Sequence, residues 1–486
     1  MFCFSLKSVV SPCFKCYSLY TLFQTKKSPP QNKKQALHSI TIHQLSISFR
    51  KGKRKMKHRI HIDRFYLFDP SAWVILRGKI GGTPPTAIIK MAIVKAVGKY
   101  EILNSTITQD ESGECYFEPN QRWEAPDITF VQKNLTDEAI MRQQQSRAFD
   151  FQQDKLIRFL VNSGSDGTYI TIIQHHIVGD GESATILLKD IMAFMQEDLE
   201  SLCNEGVSNE MVPIKLFTSE YLKQFIQLNP HYNEIPDYLN EEWKKENIIF
   251  RFEDYKELSK QYAKTADIGF KTAKITGDAY TTFCNSCKEN DVTVNTALLT
   301  MIVRYLRVAD KLVIAVNLRT DEFPGMGNYV SGFRNDYIYN QNESFWENVR
   351  RISELVANKL KDRMSLSMAL FYRSLYSNGI KDALYFNVNK DCVLKLNDIF
   401  SFGDSGIPVF ISNLGNKKFP VQYEKYNIEE LSFLSPLFYG TQSSLAIISI
   451  GNCMVLNMPY HKNQNEIDYS QLFDSIIKQI NQITKN

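Results

Sequence analysis

The chain has 486 residues, of which 43% are apolar and 12% aromatic, and its formal net charge is +4. Residues 1–55 hold eleven Lys or Arg and no Asp or Glu, so the remaining 431 residues carry a net charge of −7. This length predicts two to three domains with sizeable cores, and the acidic balance argues against nucleic acid as a partner.

The basic segment 1–55 differs from the rest of the chain. It makes a poor signal peptide, because Pro12 and Lys15 interrupt its only apolar run. A Lys-rich transit peptide is the alternative, and no stretch is long enough to span a membrane. We favour a disordered tail or a mis-assigned start, with Met56 as the native first residue, because the composition changes there.

The nine cysteines are odd in number and scattered, which predicts a reducing compartment and a cytoplasmic protein. Cys13 and Cys16 form a C-x-x-C without a second pair at zinc spacing. Cys284 and Cys287 lie three apart on a predicted helix, which favours a buried face over a redox pair. The chain contains neither a P-loop nor a G-x-S-x-G segment, so an NTPase or serine hydrolase has no support.

The first predicted elements are a strand over residues 71–79 and a helix over 86–100 that begins after two prolines. A hairpin over 106–109 and 114–118 follows across a glycine-containing loop. A β-branched and aromatic run at 167–173 predicts a buried strand, and the amphipathic segment 183–202 predicts a helix.

Two adjacent histidines, His175 and His176, lie between that strand and that helix, and Asp180 and Gly181 follow after three residues. A neutral imidazole held at a strand end can remove a proton from a hydroxyl or amine that attacks a carbonyl. A buried core histidine and a metal site are the alternatives, although no third ligand lies at a suitable spacing. Gly179 and Gly181 permit a tight turn.

The segment His175–Gly181 matches the His-His-x-x-x-Asp-Gly motif, and the chain therefore resembles the chloramphenicol-acetyltransferase-like superfamily. That superfamily includes condensation domains of peptide synthetases, alcohol acetyltransferases and polyketide-associated acyltransferases. Weaker resemblances follow the family order, and together they cover most of residues 57–486: Phe149-Asp150-Phe151, Val292-Thr293-Val294-Asn295, Asn317-Leu318-Arg319, Gly327-Asn328-Tyr329 and Ser412-Asn413-Leu414-Gly415.

The second half follows a polar, proline-containing stretch that predicts a linker at 229–255. A helix is also predicted before it, over 214–226. The later predicted strands cover 268–275, 311–318, 431–437, 445–450 and 453–458, and the last three are expected to complete one sheet. The later predicted helices cover 277–289, 293–307, 344–363 and 466–483.

The fold class predicted is α/β. The resemblance implies two chloramphenicol-acetyltransferase-like α/β sandwich lobes in a V, with the active site in a tunnel between them. We expect an N-terminal lobe at 56–228 and a C-terminal lobe at 256–486.

The resemblance also implies roles for the motif residues. His176 would be the general base, and His175 would pack behind it. Asp180 would be structural and pair with Arg319, although Arg307 or Arg334 could serve instead. Gly179 and Gly181 backbone N–H groups are candidate oxyanion donors, as is Ser412, and Asn413 is a candidate substrate contact. No bound metal or cofactor is implied.

The function implied is direct transfer of an acyl group, such as acetyl, from a coenzyme A thioester to a hydroxyl or amine, without a covalent enzyme intermediate. The alternative is a condensation-like protein that uses carrier-bound substrates in peptide or lipopeptide assembly. A non-catalytic scaffold on the same fold is a third possibility. The segment Gly403-Asp404-Ser405-Gly406 is similar to a carrier attachment site, but no helix is predicted after it. With an unperturbed imidazole, the rate should rise with pH through about 6.5.

We predict that residues 1–55 are dispensable, because a basic, acid-free tail adds few stabilising contacts. A protein comprising residues 56–486 should have the melting temperature and activity of the full chain. Aggregation of the shortened protein, or a loss of several degrees in melting temperature, would contradict this.

Overall fold

The computed structural model describes residues 56–120, 125–164, 167–204, 211–306, 312–334, 337–400, 407–420, 423–462 and 467–485. The predictions for residues 1–55, Arg307 and residues 403–406 lie outside these ranges. All described residues belong to one compact unit.

The elements up to residue 265 include seven strands in the described part of the chain. The strands are β1 (His58–Arg59), β2 (Trp73–Ile80), β3 (Ser105–Gln109), β4 (Cys115–Pro119), β5 (Asp127–Val131), β6 (Ile157–Gly164) and β7 (Gly167–His175). The helices are α1 (Arg64–Leu67), α2 (Thr86–Gly98), α3 (Asp137–Ser146), α4 (Gly181–Met195), α5 (Leu199–Asn204), α6 (Ser219–Lys223), α7 (Glu234–Glu246) and α8 (Phe252–Thr265). The strand, helix and hairpin predicted between residues 71 and 118 are present.

The elements from residue 268 onward form the second part of the molecule. The strands are β8 (Ile268–Thr276), β9 (Leu312–Asn317), β10 (Val330–Arg334), β11 (Val409–Lys417), β12 (Ile428–Leu434), β13 (Ser444–Ile450) and β14 (Cys453–His461). The helices are α9 (Gly277–Glu289), α10 (Val294–Leu306), α11 (Phe345–Lys361), α12 (Arg363–Leu375), α13 (Asn378–Tyr385), α14 (Asp391–Ile399) and α15 (Tyr469–Ile483).

Two mixed sheets organise these elements. One has the order β12-β2-β7-β6-β5, and the other has the order β10-β9-β11-β13-β14-β8. Helices α2 and α4 cover the first sheet, while α9, α10, α11 and α15 supply the core against the second. The small antiparallel sheet β1-β4-β3 lies beside the first. The predicted two-lobe α/β fold is therefore confirmed.

Strand β12 crosses from the C-terminal half into the first sheet. It pairs with β2 in antiparallel register, with Leu431 opposite Gly78 and Phe433 opposite Leu76. The prediction that this strand completes the sheet of the second half is therefore wrong. The apolar pattern of β12 predicts a strand, but it does not predict which strand lies beside it. After Glu430 both faces of β12 are buried, because β12 also packs against β13 and β14.

The stretch predicted as a linker contains a packed helix. Leu239 and Trp243 of α7 are buried against α13 and α14, because their spacing of four places both side chains on one helical face. Helices α12, α13 and α14 were not predicted. The predicted helix over 214–226 is reduced to α6, and the one over 183–202 is divided into α4 and α5.

Candidate active site

His176 lies one residue beyond β7, where the chain leaves the first sheet. Its backbone N–H donates to the carbonyl of Ala72 at 2.8 Å, which fixes the main chain. The imidazole stacks on Tyr66 with ring centres 5.0 Å apart and planes 15° apart, and it contacts Phe438 at 5.1 Å. Two aromatic rings therefore hold the imidazole in one orientation.

The environment keeps the His176 ring neutral. Burial lowers its pKa from the usual 6.5 to about 4; the Asp180 carboxylate and the residue's own backbone act in the opposite direction, and Arg373 lowers the pKa further. The ring atom Nδ1 is buried, and no hydrogen bond from the described residues reaches it. His176 also lines a cavity. The expected titration near 6.5 is wrong for this buried site.

His175 points away from that cavity. Its ring lies edge-on to Phe149 and Phe151, at 5.7 and 5.4 Å between ring centres. Nδ1 accepts a hydrogen bond from the backbone N–H of Ile177 at 3.3 Å, and burial lowers the pKa to about 3. This position behind the loop agrees with the packing role implied for it.

Asp180 is fully buried and caps helix α4. Its Oδ1 accepts from the backbone N–H of Ser183 at 2.8 Å, and its Oδ2 accepts from the backbone N–H of Tyr329 at 3.0 Å. Arg319 Nη1 lies 3.2 Å from Oδ2, and this is the predicted contact. One carboxylate thus holds the start of α4 and two segments of the second half.

Arg319 reaches further than the carboxylate. Its Nη2 donates to Ser183 Oγ at 2.7 Å and to the carbonyl of Gly325 at 3.2 Å. The guanidinium carbon lies 4.6 Å from the centre of the Tyr329 ring. Arg334, the alternative partner within the described residues, lines the cavity and forms no ion pair with Asp180 there.

The two motif glycines, Gly179 and Gly181, allow neighbouring side chains to lie close to the backbone of the loop. A Cβ at Gly179 would lie 2.6 Å from that of Ser183 and 2.8 Å from Gln174 Nε2. A Cβ at Gly181 would lie 2.9 Å from both Leu414 and Phe433. Larger residues at either position would therefore displace the loop, so the glycines have a steric reason independent of catalysis.

A cavity of about 670 Å³ lies between the two sheets. Of the predicted site residues, His176, Asp180, Gly181, Ser412 and Asn413 line it, whereas His175, Gly179 and Arg319 do not. Its walls are mostly aromatic and aliphatic: Phe65, Tyr66, Val74, Val313, Ala315, Val330, Phe333, Ala369, Tyr372, Tyr385, Ile399, Phe400, Ile407, Phe410, Leu414, Phe433, Pro436, Phe438 and Tyr439. Its size and lining suit a small organic ligand.

Sequence reasoning missed Tyr66, Phe438 and Arg373, which lie in this cavity. Tyr66 belongs to the short helix α1, before the first predicted strand, and Phe438 lies in a loop after β12. No periodicity or spacing links these residues to His176. The adjacent aromatic pair Phe65-Tyr66 was the only local signal.

Residues 85–313 match the family model described as "Condensation domain". This match confirms the resemblance to the chloramphenicol-acetyltransferase-like superfamily that the motif indicated. No curated protein sequence matches it.

Three similar solved structures each cover 89–90% of this chain. Polyketide synthase associated protein 5 from Mycobacterium tuberculosis superposes with a TM-score of 0.56 at 11% identity, over 90% of this chain and 99% of that one. The condensation domain from Monacolin K polyketide synthase MokA gives 0.57 at 10% identity, over 90% and 99%. The first condensation domain of the calcium-dependent antibiotic synthetase gives 0.58 at 11% identity, over 89% and 98%. At these identities the matches establish the fold.

Two further properties hold for the described residues alone. None of the described helices has the length and apolar character needed to cross a membrane. Within the same residues, no three His, Cys, Asp or Glu side chains are grouped so that they could hold a metal ion.

We expect Asp180→Asn and Arg319→Ala each to lower the free energy of unfolding by about 3–5 kcal/mol, because each leaves a buried partner uncompensated. The double variant should lose clearly less than the sum of the two, as measured by denaturant unfolding.

Lys462 and Asp267 provide a control, since this ion pair is exposed, with side-chain exposures of 46% and 45%. Lys462→Ala should cost no more than about 1 kcal/mol. Additive losses for Asp180→Asn and Arg319→Ala would contradict the coupling.

Proposed function

We propose that this protein transfers an acyl group from a phosphopantetheine thioester to a hydroxyl or amine, with His176 as the general base. The observation that carries the proposal is the His176 imidazole, which stacks on an aromatic ring, has a buried Nδ1 and lines a cavity between two condensation-like lobes. A base of this kind activates the acceptor directly, so no covalent acyl-enzyme is needed. Its neutral ring can accept a proton at neutral pH.

In the proposed reaction, the acceptor oxygen or nitrogen attacks the thioester carbonyl while His176 Nε2 takes its proton. The carbonyl becomes a tetrahedral oxyanion, and the carbon–sulfur bond then breaks. The departing thiolate receives a proton from the imidazolium, which restores the neutral base and gives the free thiol and the ester or amide. Asp180 and Arg319 would hold the loop without taking part in proton transfer.

Several groups could stabilise the oxyanion. The first N–H groups of an α-helix have no partner within the helix, and α4 begins at Gly181 on the cavity wall. The hydroxyl of Ser412 lines the same cavity. Asn413 is engaged with Asn295 at 3.0 Å and with the backbone N–H of Gly415 at 2.8 Å, so we favour a supporting role for it.

A carrier protein is the thioester donor that we favour. Condensation domains act on carrier-bound substrates, and residues 85–313 match their family model. Coenzyme A carries the same phosphopantetheine arm and remains the second candidate. To test this choice, kcat/KM is measured for one acyl group offered as the carrier-protein thioester and as the coenzyme A thioester. An enzyme that depends on a carrier protein should have a much higher kcat/KM with the protein-bound thioester.

His176→Ala should lower turnover by about 10²–10⁴-fold, because it removes a positioned base. Thiol release from the thioester should require both His176 and an acceptor. The matched control is His231→Ala, which changes an exposed histidine and should leave the rate unchanged. A fully active His176→Ala protein would refute the proposal, as would a burst of thiol without acceptor, since that indicates an acyl-enzyme.

The pH profile should reflect the lowered pKa of His176, about 4. Above that value the ring is neutral and competent, so kcat/KM should be flat between about pH 6 and 8. Below it the ring is protonated and cannot accept a proton, so the rate should fall through about pH 4. The measurement needs the folded fraction at each pH as its control. A midpoint near 6.5 in a folded enzyme would contradict the buried imidazole described above.

A further inference from the structure

Among the described residues, those that line the cavity carry an excess of positive charge. Its two acidic lining residues are already paired, Asp180 with Arg319 and Glu182 with Lys417. Arg334 and Arg373 also line it, and neither forms an ion pair with a carboxylate in the part of the chain that the structure describes. An anionic group entering the cavity would therefore meet two arginines that form no ion pair with the described carboxylates.

Arg373 is the cation held beside the base. It projects from α12, and its Nη1 donates to the Tyr66 hydroxyl at 2.6 Å. Its guanidinium carbon lies 4.9 Å from the centre of the Phe65 ring and 5.5 Å from that of Tyr66. The Tyr66 ring also stacks on His176 at 5.0 Å. One tyrosine thus positions both the proton acceptor and the guanidinium, and a single small molecule can reach both.

The nearby carboxyl of Asp63 does not neutralise this cation by an ion pair. Its Oδ1 accepts a hydrogen bond from Asn328 Nδ2 at 3.0 Å, and burial raises its pKa to about 7, although that hydrogen bond and the charge of Arg373 act in the opposite direction. A partly buried guanidinium among apolar groups is stabilised by an anion that replaces its lost water. Its planar donors match a carboxylate in a bidentate pair, and only Nη1 is used by Tyr66.

We propose that Arg373 binds a carboxylate of the acceptor, so that the acceptor class is hydroxy or amino acids. This rests on the proposed function, because it places the acceptor nucleophile beside His176. The carboxylate would orient the hydroxyl or amine toward Nε2. Arg334 is exposed, so water screens its charge and it contributes less to this selection.

The test compares binding of matched acids and amides. The probes are lactate, 2-hydroxyhexanoate and 3-phenyllactate, each with its primary amide, and binding is measured by calorimetry. The wild-type protein should bind at least one acid about 10- to 100-fold more tightly than its amide, the usual range for a charge-assisted hydrogen bond. Arg373→Gln should reduce that ratio to near one.

Three variants make the outcome specific. Arg334→Gln, the matched cavity cation, should keep the acid preference within about twofold, whereas Arg373→Lys should retain part of it because the charge remains. His176→Ala should keep the preference, so that failure of the catalytic proposal and failure of this one are distinguishable. Three results would overturn the assignment. The wild type could show no preference for the acid, or folded Arg373→Gln could keep the wild-type ratio of acid to amide affinity. Arg334→Gln, instead of Arg373→Gln, could lose that ratio.

Discussion

The interaction on which the site depends is the buried contact of Asp180 with Arg319. The carboxylate binds the first turn of α4, the backbone of Tyr329 and the guanidinium, so it joins the motif loop to β9 and β10 of the second lobe. With these groups joined, the base and the opposite wall keep a fixed distance. Acyl transfer between two bound substrates depends on such fixed geometry, because small misplacements of reacting atoms cost large factors in rate.

Much of the local structure could be predicted from sequence. The apolar periodicity of residues 86–100 and 277–289 identified α2 and α9, and apolar and β-branched runs identified β2 and β9. The contact between Asp180 and Arg319 was also predicted, but from family resemblance, since no physical rule links residues that far apart. The structure contains this contact, with Arg319 Nη1 3.2 Å from Asp180 Oδ2.

Long-range packing could not be predicted in the same way. The pattern of β12 identifies a strand, but an alternation of side chains does not name the strand beside it. Tyr66 and Phe438 come from a four-residue helix and a loop, where no period exists to detect. The low pKa of His176 depends on these rings, so its titration could not be derived from the motif alone.

The crossing of β12 has a consequence for how the two halves depend on each other. Without it, β2 would be an edge strand, and its backbone N–H and C=O groups would face water beside apolar residues such as Leu76. Exposed edges of this kind recruit other chains and favour aggregation. Strand β12 therefore protects the edge of the first lobe, although it comes from the C-terminal half of the sequence. An N-terminal lobe made alone would lack it, however well its own core packed.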